Sequence, residues 1–188
     1  MKQFVGNGLL KYFSTEELES ISSIQNPEEK AKIIVDELFK DKFDKAGNPY
    51  VLHLYRVSSK LDTVIERTAG LLHDTFEDTE ISYDDLLNIG FSAEVLDIVK
   101  IVTNEKVDTS SFIQAQKLEW YNKKIDTIIQ SANIHAIKLK ESDMSDNFNP
   151  ERLKTLSVEE QNWFKKKYST QLEKLREFIN KQQKSNHN

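Results

Sequence analysis

The sequence predicts an all-α fold, specifically a helical bundle, and three observations carry that prediction. Glycine and proline are scarce, with 5 and 3 among 188 residues, so little of the turn chemistry that a sandwich or barrel needs is present. Apolar residues recur at helical spacing, as at Ala31, Ile34, Val35 and Leu38. No stretch shows the convincing apolar–polar alternation of a half-buried strand. We therefore expect helices throughout and no sheet.

Capping residues mark where these helices should begin. Asn followed by Pro puts an N-cap side chain before a residue suited to the first helical position, and such pairs occur at 26–27, 48–49 and 149–150. Ser or Thr with an acidic residue three positions later forms a capping box, and such pairs start at Ser14, Thr63, Ser82 and Ser157. The helix that contains His53 is therefore predicted to begin at Pro49, with Leu52 among its inward apolar positions. Asn133 is predicted to cap the helix that contains Asp143.

The length suits one domain with a full hydrophobic core. We divide the chain into an N-terminal extension with a short helix (1–25), one helical domain (26–180) and a polar tail (181–188). The N-terminus lacks a signal-peptide apolar run, and no segment is apolar for long enough to span a bilayer, so we expect a cytoplasmic protein without a membrane partner.

Composition also narrows the chemistry. The chain has no cysteine, which excludes thiolate metal sites, cysteine nucleophiles and disulfides. Its formal net charge of -5 argues against a nucleic-acid partner, although a local basic pocket for a phosphate is compatible with that sum. The oligomeric state is left open.

One motif stands out as a candidate site, LLHDTFEDT at residues 71–79. Two leucines lead directly into His73 and Asp74, which offer a neutral nitrogen and an anionic oxygen to one region of space. Glu77 and Asp78 follow within about one further helical turn. The motif predicts a metal site with its own acid/base carboxylates, and the alternative is a helix end that is simply polar.

Two further segments carry candidate groups. His53 lies one turn into its helix, where a lone histidine is more often a hydrogen-bonded core residue than a ligand. In the segment ESDMSDN at 141–147, helical spacing puts Asp143, Asp146 and Asn147 on one face. That face is equally well explained as a solvated acidic surface. Spacing alone does not decide between the two.

Together the segments GNPYVLH (47–53), LLHDTFEDT (71–79) and LKESDMSDN (139–147) resemble the HD-domain phosphohydrolases. More narrowly, they resemble the hydrolase domain of the RelA/SpoT family and its stand-alone small alarmone hydrolases. The resemblance covers roughly residues 30–178 in the same order and spacing. A His-Asp pair alone would be weakly specific, but His-Asp followed by Glu-Asp-Thr, with the other two segments in place, is highly specific.

The resemblance implies a role for each matched residue. It implies one divalent ion per chain, in this family usually Mn²⁺, with the ligands His53, His73, Asp74 and Asp143. Glu77 and Asp78 match the acid/base pair that positions or deprotonates the attacking water. The residues implied near the nucleotide or its phosphates are Asn147, Lys45, Lys117 and Tyr168. A single ion is also favoured because only His135 and His187 remain for a second one.

The chain departs from the family pattern at a few positions. Leu54 follows His53 where the family has proline, and Phe39 stands where histidine is common. Glu141 and Ser142 replace the usual Leu-Ala before Asp143, which puts a charge near the site or at its rim. Lys45 lies in the loop where long family members use an arginine. These differences bear on substrate identity and leave all six ligand and acid/base positions intact.

The resemblance implies hydrolysis of a small-molecule nucleotide, with guanosine 3′,5′-bis(diphosphate) 3′-pyrophosphohydrolase as the family's best-known activity. We expect no synthetase or regulatory domain in the remaining residues, so that any alarmone role would be degradation. One alternative is a hydrolase of another nucleotide, such as a deoxynucleotide or NADPH. The other is a non-catalytic binding module with the HD fold.

Overall fold

The computed structural model describes Phe4 and residues 6–45, 47–104, 107–108 and 110–185. Over these ranges the chain is helical or in turns, and its one β pairing is an isolated antiparallel bridge between Phe43 and Pro49. The predicted all-α class is therefore confirmed. The chain divides into two compact units, Met1–Thr103 and Asn104–Asn188.

The first unit is organised around one buried helix. A short 3₁₀ helix at Gly8–Lys11 is followed by α1 (Thr15–Ser23), α2 (Pro27–Leu38), α3 (Val51–Ser59), α4 (Val64–Leu72), α5 (Thr75–Asp78), α6 (Tyr83–Asn88) and α7 (Ala93–Val102). Helix α4 packs against α2, α3 and α7. Its residues Ala69, Leu71 and Leu72 are fully buried, so the end of α4 that leads into His73 lies in the core.

Most helix starts in this unit follow the predicted capping chemistry. The side chain of Asn26 accepts from the backbone N–H groups of Glu28 and Glu29 at the start of α2. Reciprocal capping boxes form at the starts of α1, α4 and α6, from Ser14, Thr63 and Ser82. These bonds satisfy donors that have no partner within the helix, which fixes where each helix begins.

The start of α3 differs from its prediction. Helix α3 begins at Val51 rather than Pro49, and the N-cap residue Tyr50 makes no side-chain cap hydrogen bond. Asn48 instead donates its backbone N–H to the side chain of Asp44 at 2.9 Å, within the turn that the Phe43–Pro49 bridge closes. The predicted inward position of Leu52 is also wrong, since it is 41% exposed and Leu54 is buried in its place.

Helices α3 and α4 approach closely at Gly70. A Cβ atom at this position would lie 2.9 Å from Cδ1 of Leu61 and 3.0 Å from Cα of Ser58. Only a residue without a side chain fits this contact undisturbed. Gly70 therefore sets the spacing of the two helices that carry His53 and His73.

The second unit contains α8 (Gln114–Gln130), α9 (Ile134–Asn147), α10 (Pro150–Leu153) and α11 (Val158–Ser185). Helix α11 packs against α8 and α9. The buried core of this unit includes Tyr121, Ile125, Leu172 and Leu175. Asn133 caps α9 as predicted, by accepting from the N–H of Ala136 at 3.1 Å. His187 lies outside the described residues.

Among the described helices of both units, none combines the length and the apolar character that crossing a membrane requires.

Candidate metal centre and acid/base residues

Two buried histidines meet in the first unit. His53 lies in the first turn of α3, and His73 caps the C-terminal end of α4. They are 2% and 3% exposed, and their ring centroids are 5.3 Å apart at an interplanar angle of 65°. One ring nitrogen of each lies within 4.8 Å of the other. The α3–α4 contact thus brings together two imidazoles that lie 20 positions apart in the sequence.

Asp74 adds an anionic oxygen to this pair. Its Oδ2 lies 3.2 Å from Nε2 of His73 and 3.8 Å from Nε2 of His53. The hydroxyl of Tyr50 donates a hydrogen bond to the same oxygen at 2.6 Å. Two imidazole nitrogens and one carboxylate oxygen therefore converge. His73 and Asp74 come from the motif of residues 71–79, and His53 comes from the segment at 47–53.

Hydrogen bonding sets the proton position on His73. Its Nδ1 lies 2.8 Å from the backbone carbonyl oxygen of Gly70, which can only accept, so Nδ1 carries the proton of this bond. In a neutral imidazole Nε2 then presents a lone pair, and it presents it next to the carboxylate oxygen of Asp74. Two electron-rich atoms so close together suit a cation.

The donor set fits a divalent metal. Neutral imidazole nitrogens and carboxylate oxygens suit first-row divalent ions, and a second hydrogen bond from the ligating histidine to a backbone carbonyl is the usual support for such a ligand. His73 has such a hydrogen bond through its Nδ1, and its Nε2 is the nitrogen that lies beside Asp74. The donor set of the His53–His73–Asp74 group is therefore of the kind that suits a divalent metal.

The predicted acid/base residues follow on the short helix α5. Glu77 and Asp78 are both solvent-exposed to a substantial degree. The ammonium of Lys42 lies 3.8 Å from Oδ2 of Asp78, donates to the backbone carbonyl of the same residue, and lies over the ring of Phe39. Partial burial raises the pKa of Asp78 above its ordinary value, the charge of Asp74 raises it further, and Lys42 opposes both.

In the second unit, Asp143 is a buried carboxylate with two strong partners. Lys140, also buried, donates to its Oδ2 at 2.8 Å, and Nδ2 of Asn147 donates to its Oδ1 at 2.6 Å. Asp146 is fully buried and pairs with Arg152 of α10 at 2.6 Å. Because both aspartates are buried, they do not form the solvated acidic surface that their spacing also allowed. Asp146 joins α9 to α10.

The remaining candidates for nucleotide contact occupy different settings. Tyr168 is buried against Tyr121, and burial, Tyr121 and the charge of Asp143 raise the pKa of its hydroxyl well above the ordinary value. Lys117 lines a pocket of about 320 Å³ with Gln114, Glu159, Glu160 and Trp163. Lys45 is exposed in the turn closed by the Phe43–Pro49 bridge.

The side chains at the family departures also have defined contacts. Glu141 accepts from Nε of Arg176 at 2.7 Å, so its charge is paired on α11. Phe39 is fully buried and stacks on Tyr50 with centroids 5.5 Å apart. Leu54 is a core residue of α3.

Sequence reasoning missed the supporting residues around these groups. Tyr50 lies within the segment 47–53, but neither the spacing nor the resemblance gives it a role, and neither one points to Lys42. Lys140 was overlooked although its spacing of three residues from Asp143 on a helix indicates a contact. Nothing in the local sequence identifies the Tyr50–Asp74 or Lys42–Asp78 contacts, because 24 and 36 positions separate the partners.

The sequence was compared with family models and with curated proteins. No family model matches the chain. A guanosine-3′,5′-bis(diphosphate) 3′-pyrophosphohydrolase from Aquifex aeolicus is 28% identical over 175 residues, which cover 75% of this chain and 24% of the relative. A GTP pyrophosphokinase from Streptomyces coelicolor is 31% identical over 115 residues, 59% of this chain and 13% of the relative. The chain thus spans a quarter or less of these curated relatives.

A solved structure shares the fold. It is described as a metazoan ortholog of SpoT that hydrolyzes ppGpp and plays a role in starvation responses. The two structures align with a TM-score of 0.58 and 20% identity over 85% of this chain and 97% of the other. The resemblance is confirmed at two levels: the chain has the helical fold of this SpoT ortholog, and its sequence is similar to the Aquifex pyrophosphohydrolase and the Streptomyces pyrophosphokinase.

Proposed function

We propose that this chain is a metal-dependent phosphohydrolase and that it removes the 3′-diphosphate from guanosine 3′,5′-bis(diphosphate). The observation that carries the proposal is the convergence of His53, His73 and Oδ2 of Asp74, with two carboxylates one helix beyond. The names of the Aquifex relative and of the SpoT ortholog support the choice of substrate.

The proposed metal site has four ligands, His53, His73, Asp74 and Asp143, and holds one Mn²⁺ ion per chain. The imidazoles and the two carboxylates form a mixed nitrogen–oxygen set that suits this ion. A divalent ion supplies Lewis acidity, which polarises a phosphate oxygen and makes water a better nucleophile near neutral pH. Burial of Asp143 and its two hydrogen bonds support its assignment, since they hold its carboxylate in one orientation.

The chain's own groups handle the proton and the substrate. Glu77 or Asp78 accepts the proton of the attacking water, and the raised pKa of Asp78 suits an acceptor that must later release that proton. Asn147, Lys45, Lys117 and Tyr168 are proposed to contact the nucleotide or its phosphates. Tyr168 would do so as a hydrogen-bond donor, because its hydroxyl stays protonated.

Two alternative functions can be distinguished from this proposal by experiment. A hydrolase of another nucleotide would use the same metal and acid/base residues, and a binding module would use none of them for turnover. The preserved His, Asp and Glu groups support an enzyme, since binding alone has no need of an acid/base pair. We further propose that the protein acts in the cytoplasm, in line with the expectation from the sequence.

The test is product release from a nucleotide panel, run with Mn²⁺ and with chelator. The panel holds guanosine tetraphosphate, NADPH and deoxynucleoside triphosphates. We expect water to cleave the 3′ phosphoester bond of guanosine tetraphosphate, giving GDP and pyrophosphate, only when metal is present. Cleavage of another nucleotide in its place would refute the alarmone substrate, and no cleavage of any member would refute the enzyme.

A further inference from the structure

We propose that Tyr50 is a positioning residue that orients Asp74 toward the histidine pair and so sets the affinity of the metal site. Its hydroxyl donates to Oδ2 of Asp74 at 2.6 Å. That is the same oxygen that lies 3.2 Å from Nε2 of His73 and 3.8 Å from Nε2 of His53. The inference rests on the proposed metal site and concerns how that site is held together.

Tyr50 is itself held firmly in place. Its ring stacks on Phe39 with centroids 5.5 Å apart and planes inclined by 16°, and Phe39 is fully buried. The Tyr50 ring also contacts the ring of His53 edge-on, with centroids 5.6 Å apart. Its backbone N–H donates to the carbonyl of Lys42 at 2.9 Å, and its carbonyl accepts from the N–H of His53 at 2.9 Å. The phenol is therefore a fixed point against which a carboxylate can be oriented.

The Tyr50–Asp74 hydrogen bond matters because Asp74, the N-cap residue of α5, makes no side-chain cap hydrogen bond that would fix its carboxylate. A carboxylate rotates about its terminal torsion over a broad range, so either oxygen can face a ligand. A phenol that donates to one oxygen selects one orientation, and the selected oxygen is the one beside both imidazoles. Removing such a support beyond the ligand shell typically lowers metal affinity by about 10- to 100-fold.

The substitution that isolates this bond is Tyr50→Phe, because it removes one oxygen and keeps the ring that packs on Phe39. The matched control is Tyr55→Phe on the same helix. Tyr55 also donates to an aspartate, Asp36, but that residue is not among the proposed ligands. Both variants lose one phenol–carboxylate bond, and only one loses it at the metal group.

The measurement is calorimetric titration of the wild type and both variants with Mn²⁺, beside turnover as a function of Mn²⁺ concentration. We expect Tyr50→Phe to weaken Mn²⁺ binding by about 10- to 100-fold and Tyr55→Phe to leave it unchanged. At saturating Mn²⁺ the turnover of Tyr50→Phe should return toward the wild-type value, because all ligands and the acid/base pair remain. A general structural defect would not recover with metal.

The outcomes separate this inference from the proposed function. Equal Mn²⁺ affinity in Tyr50→Phe and wild type would overturn the role of Tyr50 and leave the hydrolase proposal intact. Equal losses in Tyr50→Phe and Tyr55→Phe would overturn it as well, since the effect would not be specific to Asp74. A wild type that binds no divalent ion would overturn the metal site itself.

Discussion

Asp74 in the first unit and Asp143 in the second are both proposed ligands, yet the protein balances their charges differently. Asp74 accepts from the neutral phenol of Tyr50 and faces two imidazoles. Asp143 accepts from the ammonium of Lys140 and the amide of Asn147. Negative charge in the first unit is therefore concentrated where a cation fits, whereas in the second unit a buried lysine already compensates it.

This difference assigns metal binding to the first carboxylate and folding stability to the second. A partly buried carboxylate beside lone-pair nitrogens is costly without a cation, so the first unit gains most when a metal binds. A buried ion pair is stable only while both partners remain, so the second unit depends on Lys140 whether or not metal is present. The substitutions below test these tasks separately.

The largest effect is expected for His73→Ala. The substitution removes a proposed ligand, whose nitrogen lies beside Asp74, so metal binding and turnover should be lost together while the helices remain. Metal content after dialysis measures the first property, and a pyrophosphate-release assay measures the second. His135→Ala on α9 is the control and should keep both properties. Retained metal in His73→Ala would show that His73 is not a ligand.

Glu77→Gln should separate chemistry from binding. The side chain keeps its size and loses the ability to take a proton, so turnover should fall by roughly 10²- to 10⁴-fold with metal affinity unchanged. Steady-state kinetics beside Mn²⁺ titration makes the distinction. Loss of metal in this variant would instead place Glu77 among the ligands, and unchanged turnover would remove it from the mechanism.

Lys140→Met tests the second unit. The Lys140 and Asp143 side chains are 8% and 9% exposed. Removal of one partner of such a pair costs about 3–5 kcal/mol, because the remaining charge stays buried and loses its counter-ion. Urea denaturation of the metal-free protein should show this loss. Lys123→Met, which breaks the exposed pair with Glu119, should change stability far less. Equal effects would contradict the contrast between the two pairs.

The smallest effect is expected for Lys42→Met, as a shift in pH dependence. Asp78 must be ionised to accept a proton, so activity falls as the pH drops through its pKa. Lys42 lowers that pKa, so its removal raises the pKa further and moves the acid limb of the pH–rate profile to higher pH. Lys42→Arg keeps the charge and should keep the profile. An unmoved limb in Lys42→Met would exclude Asp78 as the acceptor.

Much of this architecture was predictable because it depends on local chemistry. Capping boxes at Ser14, Thr63 and Ser82 fixed helix starts through bonds within four residues. The start of α3 was predicted wrongly because Asn48 bonds to Asp44 across a turn, an alternative that the Asn-Pro pattern does not reveal.

The candidate site was predictable to the extent that it lies in short motifs. His73, Asp74, Glu77 and Asp78 lie within six residues, so one short motif identifies them together, although α4 ends at Leu72 and α5 begins at Thr75. The contact of Tyr50 with Asp74 arises only when α3 and α4 pack at Gly70, which depends on tertiary structure. Supporting groups of this kind are invisible to motif spacing.

We propose that one divalent ion binds His53, His73, Asp74 and Asp143. The most direct measurement is anomalous diffraction from crystals of the protein loaded with Mn²⁺. We expect one strong peak per chain with ligand distances of about 2.0–2.3 Å to side-chain donors of all four residues. A peak that lacks His53 or Asp143 as a ligand, or the absence of any peak near His73 and Asp74, would contradict the claim.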